Sequence, residues 1–200
     1  MANHTRTVKT DIWVEHSFRK LDGVQKIVWF YLHTGYHTSE TALFACSLSD
    51  LAHFCGISKR KATEIISGFI EEGLADYDYE TDEILVKDYF EFHAPSSGLY
   101  YNMYLQDLEK IKSQRLVDEL IEMSKKYRIS TAFFLALLDV RPDIDRNDFK
   151  IIATDKTDDE IRNAGLRGRT ITLEKRTNAK NKTDPQNQAS EEITDPDLPF

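Results

Sequence analysis

Apolar residues along this 200-residue chain recur first at helical spacing, then at strand spacing, then at helical spacing again. A polar stretch over 1–10 is read as a flexible N-terminus. Residues 11–21 mix aromatic and polar side chains and lead into a helix. Asp22 is an N-cap residue type, and Val24, Ile27, Val28, Tyr31 and Leu32 keep helical spacing until Gly35. Residues 42–46 read as a short strand. Ser49 is placed to cap a short helix over 50–55, and Gly56, tolerant of positive φ, ends it. Ser58 caps a second helix over 59–72, whose Ala62, Ile65, Ile66, Phe69 and Ile70 share one face, while small Ala52 lets the two helices cross closely. Gly73 stops that helix. Residues 74–79 and 84–87 read as two strands around the polar turn Glu80-Thr81-Asp82. Helix, glycine turn, capped helix, glycine and hairpin in this order predict a winged helix-turn-helix over 11–97.

Beyond a Pro-Ser-Ser-Gly loop at 95–98 the pattern predicts a helical extension over 98–165. A long amphipathic helix is expected over 100–128, with Tyr104, Leu108, Ile111, Leu116, Leu120 and Met123 roughly on one face. A short, strongly apolar helix is expected over 131–140, closed by Pro142. Residues 143–165 are polar, with room for one weak helix. From 166 to 200 apolar residues thin out among Asn, Lys, Thr, Gln and Asp, which predicts a disordered tail. The fold class is therefore mainly α with a small β-hairpin.

Charge changes the picture. The chain carries a net charge of -8, which by itself disfavours a nucleic-acid partner, but the distribution is uneven. Residues 162–182 hold seven basic side chains against one acid, and 184–200 hold five acids and no base, so residues 1–161 stand at about -9. Any basic surface on the body must be local. No stretch is long and apolar enough for a bilayer, and the first residues lack an apolar signal core. Cys46 and Cys55 form neither a disulfide framework nor a paired metal spacing. A reducing cytoplasm is the expected compartment.

Catalytic chemistry finds little to work with. The chain has no Gly-rich phosphate loop, no His-Glu-x-x-His and no glycine-flanked serine elbow. His33 and His37 are four apart but Gly35 interrupts them, and His53 and Cys55 sit on a short helix. Asp76, Asp78, Glu80 and Asp82 have the outline of a calcium loop. Thr81, however, stands where glycine is needed, and Lys87 where the closing glutamate belongs, so solvated acids are expected instead. No enzyme activity, cofactor or metal is expected.

Binding residues are easier to place. Lys59, Arg60 and Lys61 open the second helix of the helix-turn-helix, with Thr63, Glu64 and Ser67 further along the same segment. Three bases at a helix start oppose the helix dipole, so helix stability does not account for them. In the wing, Asp76, Asp78, Glu80, Asp82 and Glu83 oppose duplex phosphates. Strand alternation sets Tyr77 and Tyr79 on the other face, available to stack on unpaired bases. Lys110, Lys112 and Arg115, followed by Lys125, Lys126 and Arg128, could extend a backbone track, as could the basic stretch from Arg167 to Lys182.

Two segments resemble known families. Residues 12–112 resemble the N-terminal winged-helix domain of DnaD-like proteins and phage replisome organisers. The resemblance rests on Trp13, Leu21, residues 26–32, Ala52, Gly56, Ser58, Ile-Glu-Glu-Gly-Leu at 70–74 and Thr-Asp-Glu-Ile at 81–84. That family often adds a helical domain with a tryptophan, and no tryptophan follows position 100 here. Separately, Asp195, Pro196, Asp197, Leu198, Pro199 and Phe200 resemble the C-terminal tip of bacterial single-stranded DNA-binding proteins, an acidic run ending in Leu/Ile-Pro-Phe. Pro196 departs from that run of acids. The resemblance implies that Asp195, Asp197, Leu198, Pro199 and Phe200 dock on replication and repair enzymes; a pocket with an apolar floor and a basic rim can take the Phe200 ring and the terminal carboxylate together.

Together these features predict a phage- or mobile-element-type, non-enzymatic single-stranded DNA-binding protein whose tip recruits host replication proteins. A replisome organiser on duplex origin DNA and a winged-helix transcriptional regulator are the alternatives. A homo-oligomer remains open; a membrane partner is not expected.

Overall fold

Asp22 opens the first long helix through a reciprocal cap. Its carboxylate accepts the Gln25 backbone N–H at 2.7 Å, and the Gln25 side chain accepts the Asp22 N–H at 2.8 Å. The structure is a computed structural model describing residues 8, 10–93, 100–152 and 154–164. Within it a 3₁₀ turn at Thr10–Val14 and the short helix α1 (His16–Lys20) precede α2 (Gly23–Thr34). Strand β1 (Leu43–Ala45) follows, then α3 (Leu48–Cys55) and α4 (Lys59–Glu71). Gly56 joins the two helices at φ 67°, the left-handed region that its missing Cβ makes accessible. Ser58 caps α4 as expected, its hydroxyl accepting the Lys61 N–H. The cap of α3 is Ser47 rather than Ser49, because Leu48 and Leu51 both face the core and carry the helix start back to Leu48.

Strands β2 (Ala75–Asp78) and β3 (Glu83–Val86) form the expected hairpin, and β1 joins it to give an antiparallel sheet of order β1-β3-β2. Leu43 pairs with Leu85, and Tyr77 with Ile84. All four residues of the central strand β3 are buried.

The expected helix over 100–128 is two helices, α6 (Tyr101–Leu108) and α7 (Gln114–Lys126), after a single turn, α5 (Tyr89–Phe92). Ser113 caps α7 by accepting the Leu116 N–H. The Lys112 and Ser113 N–H groups, which a continuous helix would spend on its own carbonyls, donate instead to the Glu83 carboxylate. α8 (Thr131–Val140) matches its expected span, and its residues from Thr131 to Leu137 are all buried. It lies between β4 (Arg128–Ser130) and β5 (Lys150–Ile152), which pair in parallel. The strand β5 and a helical segment over 158–164 give structure to a stretch whose polarity promised little.

One apolar cluster runs from Ile12 through the sheet and the helices to Ile161. Phe133 of α8 meets both Tyr104 and Phe90 edge-on, so the helical extension shares its core with residues 11–93. Asp88 adds a buried polar bolt. Its carboxylate accepts Trp29 Nε1–H at 2.9 Å and lies 3.1 Å from Nε2 of His33, whose ring stacks on Trp29. Asp88→Ala leaves those ring nitrogens without their acceptor in a dry site. It should cost about 2 kcal/mol, read as a lower urea midpoint at unchanged slope.

Among the described residues no helix is long and apolar enough to cross a membrane. The expectations for the tail over 166–200, the docking residues Asp195, Asp197, Leu198, Pro199 and Phe200, and most of 1–10 fall outside the described residues.

Candidate nucleic-acid interface

The first turn of α4 presents three consecutive basic side chains. Lys59, Arg60 and Lys61 are exposed, Arg60 most of all, its side chain 87% accessible. Their backbone is pinned by Ser58 and by Thr63, whose hydroxyl donates to the Lys59 carbonyl at 3.0 Å. Glu64 sits one turn on, 3.1 Å from Arg60 and 3.7 Å from Lys61. Those pairs are solvated and contribute little to stability, so an incoming phosphate can replace them at small cost. Thr63 and Ser67 are half-buried on the same helix.

The hairpin acids do other work than expected. Glu83, 2% exposed, accepts Lys112 N–H at 2.9 Å, Ser113 N–H at 2.8 Å and the Thr81 hydroxyl at 2.9 Å. Asp78 accepts the Ser113 hydroxyl, and Arg115 spans Asp76 at 2.8 Å and the Tyr77 carbonyl at 2.9 Å. The expectation of solvated wing acids is therefore corrected for Asp76, Asp78 and Glu83: they hold the N-terminus of α7 against the sheet. A carboxylate there also complements the partial positive charge of that helix end. The Ser113 hydroxyl, ahead of the Glu80 backbone N–H, holds Asp78 below its ordinary value of 3.8.

Two proposed contacts are withdrawn with them. Tyr77 is buried, and its hydroxyl donates within reach of both Asp82, at 2.8 Å, and the Cys46 carbonyl, at 3.1 Å, so it is unavailable to a base. Strand alternation fails at this point because Tyr79 lies beyond the end of β2, where it is 55% exposed and packs edge-on against Tyr77. Arg115 is committed to Asp76 and the hairpin backbone. Lys112 and Lys110 stay exposed, Lys110 paired with Asp107 at 3.2 Å. Further along, Lys125 is tied to Glu122 and Asp148.

Burial raises the thiol of Cys55 to about 11 and that of Cys46 to about 12, so both are protonated at neutral pH and neither is an activated nucleophile. Among the described residues no cluster of His, Cys, Asp and Glu could hold a metal ion.

Sequence reasoning missed an aromatic group beside the α3–α4 turn. Phe54 of α3 stacks on Tyr31 of α2, with ring centres 5.5 Å apart and planes inclined by 17°. His37 meets the edges of Phe54 and Tyr36, and His53 also meets Phe54. The rings at 31, 36, 37, 53 and 54, within and on either side of the α2–α3 connection, are its trace in the sequence.

Comparison with known proteins adds no relative: no family model matches the chain, and neither a curated protein nor a solved structure matches it.

Proposed function

We propose that this chain is a non-enzymatic DNA-binding protein of replication that holds DNA, single strands in preference, on a winged helix-turn-helix. The observation that carries the reading is the exposed Lys59-Arg60-Lys61 turn at the capped start of α4, on a body whose overall charge is strongly negative. The order α2, β1, α3, α4, β2, β3 supports the winged-helix reading, with α4 as the recognition helix. The preference for single strands is supported by the hairpin. Asp76, Asp78 and Glu83 are spent on α7, and the tip carries Tyr79 and the acid Glu80 rather than bases, so it offers duplex phosphates little. The segment at 195–200 supplies the recruiting element, as its likeness to the tips of bacterial single-stranded DNA-binding proteins implies.

A replisome organiser on duplex DNA is the second reading, favoured by the placement of three bases at the N-terminus of a helix suited to a major groove. Anisotropy titrations with a single strand and its matched duplex at equal salt separate the two. Tighter binding of the single strand is expected, and tighter binding of one specific duplex transfers the assignment to the organiser. Removing Leu198, Pro199 and Phe200 should abolish capture of proteins that bind single-stranded-DNA-binding-protein tips and leave DNA affinity within about twofold, because that docking needs the Leu-Pro-Phe side chains and not the DNA surface.

A further inference from the structure

Phe54 is held in a way the fold does not require. Tyr31 lies against one face of its ring, while Phe54 remains 52% exposed and the neighbouring Tyr36 81% exposed. An apolar ring half in water contributes little to the core. Its neighbours are nevertheless fixed. The Tyr31 hydroxyl and Nδ1 of His37 share a hydrogen bond of 2.6 Å, and the His37 ring braces Phe54 and Tyr36 edge-on. Gly35 closes the arrangement from behind: a Cβ there would stand 2.4 Å from the Tyr31 carbonyl oxygen and 2.8 Å from its ring. Rigid, partly exposed aromatic faces with polar edges form a surface on which a planar, polar-edged ligand can stack at little ordering cost.

The surroundings indicate which planar ligand. Phe54 precedes Gly56 and the basic start of α4, and the five residues from Phe54 to Lys59 span at most about 18 Å. That separation is covered by a few nucleotides of single strand, whose phosphates can meet Lys59, Arg60 and Lys61 while a base reaches the ring. Asp50, one turn before Phe54 on α3, accepts the Ser47 hydroxyl at 2.7 Å. A stacked duplex base pair exposes no face to such a platform, whereas an unpaired base does.

We infer that Phe54 and Tyr36, backed by Tyr31 and braced by His37, are a stacking platform for unpaired nucleobases. The inference rests on the DNA-binding reading above and names the base-contacting part of that surface. Stacking releases no counterions, so it adds affinity without adding salt dependence.

The test uses the full chain and a labelled oligo-dT strand with its matched duplex, titrated at several salt concentrations. Phe54→Ala and Tyr36→Ala are each expected to weaken single-strand binding about tenfold, with the salt slope unchanged and duplex affinity within about twofold. Changing Lys59, Arg60 and Lys61 to Ala instead flattens the slope. Single-strand affinity unchanged in both aromatic variants overturns the platform while leaving the DNA reading intact, provided that the charge variant still binds weakly. An equal loss on duplex also overturns it. Wild-type protein that binds neither oligonucleotide overturns both. If Phe54→Ala lowers the melting temperature, Tyr36→Ala decides, because a side chain so exposed cannot be holding the fold.

Discussion

Changing Lys59, Arg60 and Lys61 together to Ala is expected to weaken single-strand binding about a hundredfold at 0.1 M salt. Each phosphate neutralised on a single strand contributes about 0.7 to the slope of log affinity against log salt. Three lost contacts should therefore flatten that slope by about 2, and at 0.1 M each contact is equivalent to about fivefold in affinity. The side chains lie outside the core and the Ser58 cap uses backbone, so the variant should melt with the wild type. Removing three bases from the positive end of α4 favours the helix dipole if anything. A loss of affinity is then a loss of contact and not of fold. Binding isotherms across a salt series, read beside a thermal melt, check both halves of the expectation.

Glu83→Ala carries the largest expected effect on stability, about 3–4 kcal/mol. The substitution deletes a buried acceptor that serves Thr81 and two backbone N–H groups at the start of α7, and it leaves the Ser113 N–H without a partner in a buried site and the other two groups without one in half-buried sites. Glu83→Gln keeps one acceptor oxygen and should recover part of the loss. Chemical denaturation of both variants measures this directly. Amide exchange should place the damage at 112–117 and in β3, with α4 little affected.

The neighbouring Asp78 adds a pH dependence to the same junction. Its folded pKa lies below the unfolded value of 3.8, so it stabilises the fold fully above that value and loses the contribution as pH falls through the lower, folded one. Ser113→Ala removes the principal cause of the shift. The variant should begin acid unfolding at a higher pH than wild type, followed by circular dichroism from pH 5 downward.

Local chemistry is what the chain displays openly. Asp22, Gly56 and Ser58 identify their helix ends because a cap or a left-handed turn needs only the residues beside it. The order of helices and hairpin strands from 22 to 87 is legible for the same reason, since each apolar period is short and punctuated. The break between α6 and α7 is not legible. Apolar spacing continues through Ile111, and what ends the helix is a carboxylate about thirty residues away. Strand β5 is hidden similarly, because its pairing with β4 depends on α8 carrying the chain back.

The site divides along the same line. Lys59, Arg60 and Lys61 are visible as a run of charge at a helix start, and they remain exposed. Tyr77 and Arg115 have suitable chemistry, but the Tyr77 hydroxyl is spent inside the protein and the exposed Arg115 guanidinium is held by Asp76 and the Tyr77 carbonyl, which alternation and charge counting do not reveal. The partners of Asp76, Asp78 and Glu83 at the start of α7 lie 29 to 39 residues along the chain, beyond the reach of local pattern. Phe54 and Tyr31 lie on different helices, and only the packing of α3 against α2 brings their rings together.

Amide-exchange mapping of the full chain, with and without saturating oligo-dT, puts the central claim to its most direct test. Slower exchange over 53–63, spanning the end of α3 and the first turn of α4, with the 76–83 hairpin unchanged, is the predicted result. Protection confined to the hairpin or to 101–126, with the start of α4 exchanging as in the free protein, would contradict it.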